Sequence, residues 1–212
     1  MGDTADVLVL GIGNVLWADE GFGVRAVEAL YDRYEVPPGV LLADGGTQGL
    51  NLLEPVIAAR RVLVFDAIDF GLAPGALRVL RDREVPAWVG SKVSLHQQSF
   101  HELLAIADLM GRFPPSLTLI GVQPERLADF GGSLSDCVRA QLAPAVAAAV
   151  DELAAWGYAP RARAAPPAQR LNAAALALDA YESGRPAEHV AWRVGDARFL
   201  NIRYALLAQE HD

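Results

Sequence analysis

Five short apolar runs constrain this chain more than any other feature: "VLVL" at Val7–Leu10, "VLLA" at Val40–Ala43, "RVLVF" at Arg61–Phe65, "LRVL" at Leu77–Leu80 and "LTLIGV" at Leu117–Val122. All are strand-length, and the first has no polar residue at all, the pattern of a strand buried on both faces. Helical stripes fall between them. Phe22–Tyr34 carries Val24, Val27, Leu30, Tyr31 and Tyr34 on one face, Leu50–Ala59 carries Leu53, Val56 and Ile57, and Phe100–Met110 and an alanine-rich run from Ser135 to Trp156 follow. Alternation of this kind predicts an α/β fold in three layers: a mainly parallel, twisted sheet of five strands with helices on both faces. Ligands of such sheets bind in the crevice beyond the strands' carboxyl ends, which directs attention to the loops that follow the strands.

The pattern stops at Gly157. Gly157–Gln169 is rich in Pro, Ala and Arg and reads as a linker, Arg170–Tyr181 is helical in composition, and Val190–Leu207 mixes apolar and charged residues. The expected division is an α/β domain over residues 1–157 and a linker with a partly helical extension over 158–212. The first 157 residues hold 11 basic against 20 acidic side chains, within a net charge of −8. Nucleic acid is a poor partner for that body, since backbone binding needs clustered Lys and Arg. No apolar stretch approaches the ~20 residues of a membrane span. The single cysteine, Cys137, fits a reducing compartment, and the acidic opening Met-Gly-Asp-Thr-Ala-Asp lacks the basic region of a secretory signal. A cytoplasmic protein without membrane insertion is expected.

"LGIGNVLWADEGFGV", Leu10–Val24, begins like a phosphate-binding loop. A dinucleotide fingerprint with glycines at 11 and 13 needs a third at position 16, where Leu16 stands, and no Gly-Lys-Ser/Thr of a Walker loop occurs. Asp44, ending the second strand, could serve a ribose, so this reading is weakened rather than removed. Gly11 and Gly13 fit better a tight turn with close backbone approach.

Three potential metal donors follow different strands. Glu20 follows the first, Asp66 ends the third, and His96 is expected in the long loop after the fourth. Each alone has a structural explanation: Asp19 or Glu20 as a match for a helix N-terminus, Asp66 as an acceptor in the turn "DAIDFG", His96 as a packed or surface residue. Together, two carboxylates and an imidazole at one sheet edge make a divalent-metal site with open coordination positions. Asp44 and Asp69 stand as supporting or general-base groups, or as turn caps. His101 reads as a helix-surface or packing residue, and Cys137 lies far along the chain from the motifs.

Taken together, "GIGNVLWADEGFGV", "DGGTQG", "VFDAIDFG", "KVSLHQ" and "LTLIGVQPE" resemble, in order and spacing, the hydrogenase maturation endopeptidases, over Val7–Ala155. The resemblance implies a five-stranded sheet flanked by helices and a peptidase, of the aspartyl type, that removes the C-terminal extension from the nickel-loaded precursor of a nickel–iron hydrogenase large subunit. It assigns the family's metal-binding Glu, Asp and His to Glu20, Asp66 and His96, with Asp44 in a supporting role. It also implies that nickel arrives with the substrate, while other divalent ions can occupy the site in isolation. Two other readings stand beside it: a nickel-dependent binding chaperone that does not cut, and a nucleotide-binding α/β enzyme. Family members usually end near the long last helix, so residues from Gly157 onward depart from the pattern.

Overall fold

The computed structural model describes residues 5–85, 95–127 and 129–185. In chain order the elements are β1 (Val7–Ile12), a 3-10 turn (Ala18–Gly21), α1 (Phe22–Arg33), β2 (Tyr34–Glu35), β3 (Val40–Gly46), a 3-10 turn (Gly49–Leu52), α2 (Leu53–Ala58), β4 (Arg61–Ala67) and β5 (Leu77–Arg81). Then follow α3 (Leu95–Leu109), β6 (Ser116–Val122), α4 (Asp136–Arg139), α5 (Leu142–Ala155), β7 (Arg161–Ala162), a 3-10 turn (Ala174–Leu176) and α6 (Leu178–Gly184).

The main sheet has five strands in the order β3-β1-β4-β6-β5. β1 pairs in parallel with β3 and β4, and β4 with β6; only β5 runs antiparallel, along β6 at the edge. The all-apolar runs follow from this position. In β1, Val7 and Val9 face a core built with Phe22, Val27 and Leu30 of α1 and Val146, Ala149 and Leu153 of α5. Leu8, Leu10 and Ile12 face a second core with Leu52, Val56 and, from α3, Leu103 and Leu104. A central strand with both faces covered has no place for alternating polar residues.

The expected helix over Ser135–Trp156 is divided into α4 and α5. Pro144 explains the break: it has no N–H to donate and its ring clashes with the carbonyl four residues back, at Ala140. Ala140 and Gln141 instead donate backward to Asp136 and Val138 in a turn before α5 starts. α5 is fastened to the sheet by Glu152, whose carboxylate receives the Thr118 hydroxyl of β6 at 2.9 Å and the Arg81 guanidinium of β5 at 2.7 Å. Burial alone would raise that carboxyl, but the hydrogen bonds from Arg81 and Thr118 outweigh it and hold it below the usual glutamate value.

Residues 158–185 fold back on the body. β7, inside the expected linker, pairs antiparallel with β2. Arg161 ion-pairs with Glu35, and the Arg163 side chain donates to the carbonyls of Tyr31 and Tyr34, both at 3.1 Å. The helix expected over Arg170–Tyr181 is shorter and later, a 3-10 turn followed by α6. Val190–Leu207 lies outside the described residues. Among the described residues no helix is long and apolar enough to cross a membrane.

Candidate active site at the carboxyl edge of the sheet

The chain leaves β1 toward α1 and β3 on one side, then returns across to β4 and β6 on the other. The switch in direction falls between β1 and β4, where an open α/β sheet leaves a crevice. Glycines let the chain close tightly there. A Cβ on Gly11 would stand 2.3 Å from the Gly23 carbonyl oxygen, so α1 rests directly on β1. Gly13, at φ +136°, gives its N–H to the Gly46 carbonyl at 3.0 Å, and a Cβ there would lie 1.8 Å from the Glu20 carbonyl oxygen. The glycine pair thus serves backbone packing: it lets the Ala18–Gly21 turn fold back over the end of β1.

The adjacent carboxylates of that turn divide their work. Asp19 is fully buried and accepts four hydrogen bonds: Ser135 N–H on Oδ1 at 2.7 Å, and on Oδ2 Arg126 N–H at 2.7 Å, Glu125 N–H at 2.9 Å and the Ser135 hydroxyl at 3.0 Å. It pins the loop after β6 to the turn after β1. These bonds also offset the left-handed backbone of Ala18, φ +44°, a conformation that costs a residue with a side chain about 1 kcal/mol or more. Glu20 is half-buried, and its main chain holds the turn, with its N–H on the Trp17 carbonyl and its carbonyl receiving Asn14 N–H at 3.1 Å. The turn packs against β4.

Asp66 lies within β4, one residue before its end, and is buried at 3% exposure; its Oδ1 accepts the N–H of Ala67 at 2.8 Å. The fold therefore brings Glu20 and Asp66 to the carboxyl edge of neighbouring strands. His96 lies in the first turn of α3, not in a loop, because the helix begins at Leu95. α3 packs against the Gly49–Leu52 turn that follows β3. The His96 imidazole is outside the described side chains. Among the described residues, no group of three or more His, Cys, Asp and Glu side chains has a metal-holding arrangement.

Asp69 accepts Gly71 N–H at 2.9 Å and the Gln123 side-chain amide at 3.1 Å, which makes it a turn-holding residue. Sequence reasoning passed over Gln123. It is buried, and its Oε1 accepts the N–H groups of Phe70 at 2.7 Å and Leu72 at 3.1 Å, so it anchors the loop that follows Asp66. A polar side chain directly after the run Leu119–Val122 was the available signal.

Asp44, in β3, accepts the Asn172 side-chain amide at 2.8 Å, and the same nitrogen donates to Glu28 at 2.9 Å. Burial raises the Asp44 carboxyl above the usual 3.8, against the pull of the Asn172 hydrogen bond and the Arg25 charge. A carboxyl that holds its proton more tightly when folded gives stability that is complete below pH 3.8 and is lost as pH rises through the folded value. Asp44→Asn is therefore expected to gain thermal stability relative to the unsubstituted chain as pH is raised from acid to neutral. Melting curves across that range check the sign; a constant difference would mean that Asp44 does not titrate with folding.

The acidic side chains gather at the switch point of a mainly parallel sheet, the edge at which α/β proteins bind their ligands. Comparison with known proteins makes this particular. The pattern of the hydrogenase maturation protease family matches residues 24–152, and the chain belongs to that family of peptidases. It is 56% identical over 196 residues to the hydrogenase expression/formation protein HoxM of Azotobacter vinelandii, covering 92% of this chain and 94% of that one. It is 44% identical over 141 residues to the hydrogenase 2 maturation protease of Escherichia coli K12, covering 66% of this chain and 85% of that one. Among solved structures, the hydrogenase maturating endopeptidase HybD of Escherichia coli superposes with a TM-score of 0.71 at 40% identity, over 74% of this chain and 97% of that one.

Proposed function

We propose that this chain is the endopeptidase that removes the C-terminal extension of the nickel-loaded precursor of a nickel–iron hydrogenase large subunit. Membership of the maturation protease family supports the reaction class. The observation that carries the site is the delivery of Glu20 and Asp66 to the same edge of β1 and β4, with Asp19 wholly occupied in holding the loop after β6. In this reading Glu20, Asp66 and His96 contact the nickel that the precursor brings, and Asp44 supports the neighbouring loop. Nickel is then part of the substrate. The contact reports that metal insertion is complete, which a peptide sequence alone does not.

Docking through the metal would set the scissile bond beside the carboxylates and remove much of the orientational cost of reaction. Two routes to hydrolysis use the same residues: polarisation of the peptide carbonyl by the cation, or removal of a water proton by a carboxylate in the manner of an aspartyl-type enzyme. The substrate's compartment in this reading is the cytoplasm.

The test is incubation of the full chain with candidate large-subunit precursors, with and without nickel, followed by intact-mass measurement. The expected result is loss of a C-terminal fragment from the nickel-loaded form alone. Co-elution without shortening would assign the chain to the binding chaperone instead, and equal cutting of the nickel-free form would remove the metal contact from the reading.

A further inference from the structure

Residues 170–184 are more than a passive covering of α1. Four anchors fix them to the body. Asn172 bridges Glu28 and Asp44, and Arg25, only 3% exposed, donates to the Leu176 carbonyl and stacks over the Tyr181 ring at 5.7 Å. The Tyr181 hydroxyl donates to the Gly132 carbonyl at 3.2 Å, and Glu182 ion-pairs with Arg139. These anchors hold the main chain firmly while leaving the Leu176 side chain 42% exposed.

That side chain forms one wall of a crevice of about 210 Å³ whose other walls include Gly13, Asn14, Leu16, Gly46 and Thr47. Apolar Val15, Leu16, Val24 and Leu176 line it, together with polar Asn14, Asp44 and Thr47. Leu16 is 42% exposed, and beside it Trp17 and Phe130, 37% and 47% exposed, meet edge-to-face at 5.4 Å. Exposed apolar side chains gathered in one place mark an interaction site. The crevice is smaller than the roughly 300–1,000 Å³ that a whole small-molecule ligand occupies, so it suits one side chain of a larger partner. Asn14, in its wall, bonds through its N–H to the Glu20 carbonyl at 3.1 Å. An occupant of the crevice therefore lies against the turn that carries Glu20.

We infer that Leu176 is a substrate-specificity residue: the segment after the α/β body builds one wall of a pocket that takes an apolar side chain of the precursor, from the extended peptide next to its cleavage point. This deepens the function proposed above and rests on it. Leu176 lies beyond the residues that the family pattern matches, 24–152.

The test uses the full chain with two substitutions, Leu176→Trp, which fills the pocket, and Leu176→Asp, which makes its wall polar. Leu109→Ala is the control, at an 88%-exposed apolar residue on the last turn of α3. Initial cleavage rates across precursor concentrations are expected to show KM raised roughly tenfold in both Leu176 variants, kcat unchanged, and no effect in the control. Unchanged KM in the Leu176 variants, or an equal rise in the control, would overturn the assignment. If the unsubstituted chain shortens no precursor, the peptidase reading fails by itself. Equilibrium binding of the same precursor then decides the pocket: affinity weakened about tenfold by Leu176→Trp sustains it, and equal affinity overturns it.

Discussion

Substituting Ala for Glu20, Asp66 or His96 is expected to lower processing of the nickel-loaded precursor at least about a hundredfold while leaving the chain folded, the scale on which positioned acid–base groups act. The structure supplies the reason why the fold should survive at the two carboxylates. Glu20 holds its turn through main-chain groups, which Ala retains, and Asp66 sits in a strand whose pairing with β1 and β6 is main-chain throughout. Glu20→Gln and Asp66→Asn refine the result: they keep shape and hydrogen-bonding capacity but remove the negative charge. Loss in these as well would make charge the operative property. Intact-mass assays with near-native circular dichroism are the measurement, and undiminished cleavage by all three Ala variants would reject the assignment.

Gly23→Ala is expected to destabilise the body strongly. The added methyl would stand 2.2 Å from two main-chain oxygens, those of Ile12 in β1 and Phe65 in β4. Ile12 is held by its pairing with β3 and Phe65 by its pairing with β1 and β6, so α1 would have to lift away from the sheet. Phe22, Ala26, Val27 and Leu30 of that helix are all fully buried, and separating them from the strands leaves voids. Overpacking combined with this loss should cost about 3–5 kcal/mol, a large share of the roughly 5–15 kcal/mol that holds a domain of ordinary stability. A denaturant titration reads the effect directly, and an unchanged midpoint would show that the helix–sheet contact is looser than its geometry. The same substitution should depress activity, because the helix that shifts begins immediately after the Glu20 turn.

The strands were readable because their signal is local. A run such as Val7–Leu10 has no polar residue to place in water, so it must lie inside a sheet, and glycine at 11 and 13 announces close backbone approach before its partner is known. Pro144 likewise carried a legible break, although the alanine-rich run around it suggested one helix. His96 was expected in a loop, but the helix expected from Phe100 begins at Leu95, because the polar run His96–Ser99 shows no apolar stripe of its own.

The composition and order of apolar runs, the glycines between them and the motifs of Val7–Glu125 were enough, without coordinates, to determine the layered α/β architecture, the family and Glu20 and Asp66 as the carboxylates to watch. Only the tertiary structure decided which of the adjacent acids, Asp19 and Glu20, is consumed in holding the fold, since the groups that claim Asp19 are more than a hundred residues away in sequence. It alone also tied Gln123 to the loop after Asp66, and turned the apparent linker and extension after Gly157 into a clasp through Arg163, Asn172 and Glu182. Periodicity and propensity act between neighbours along the chain, whereas hydrogen bonds and ion pairs of this kind exist only after folding has brought distant segments together.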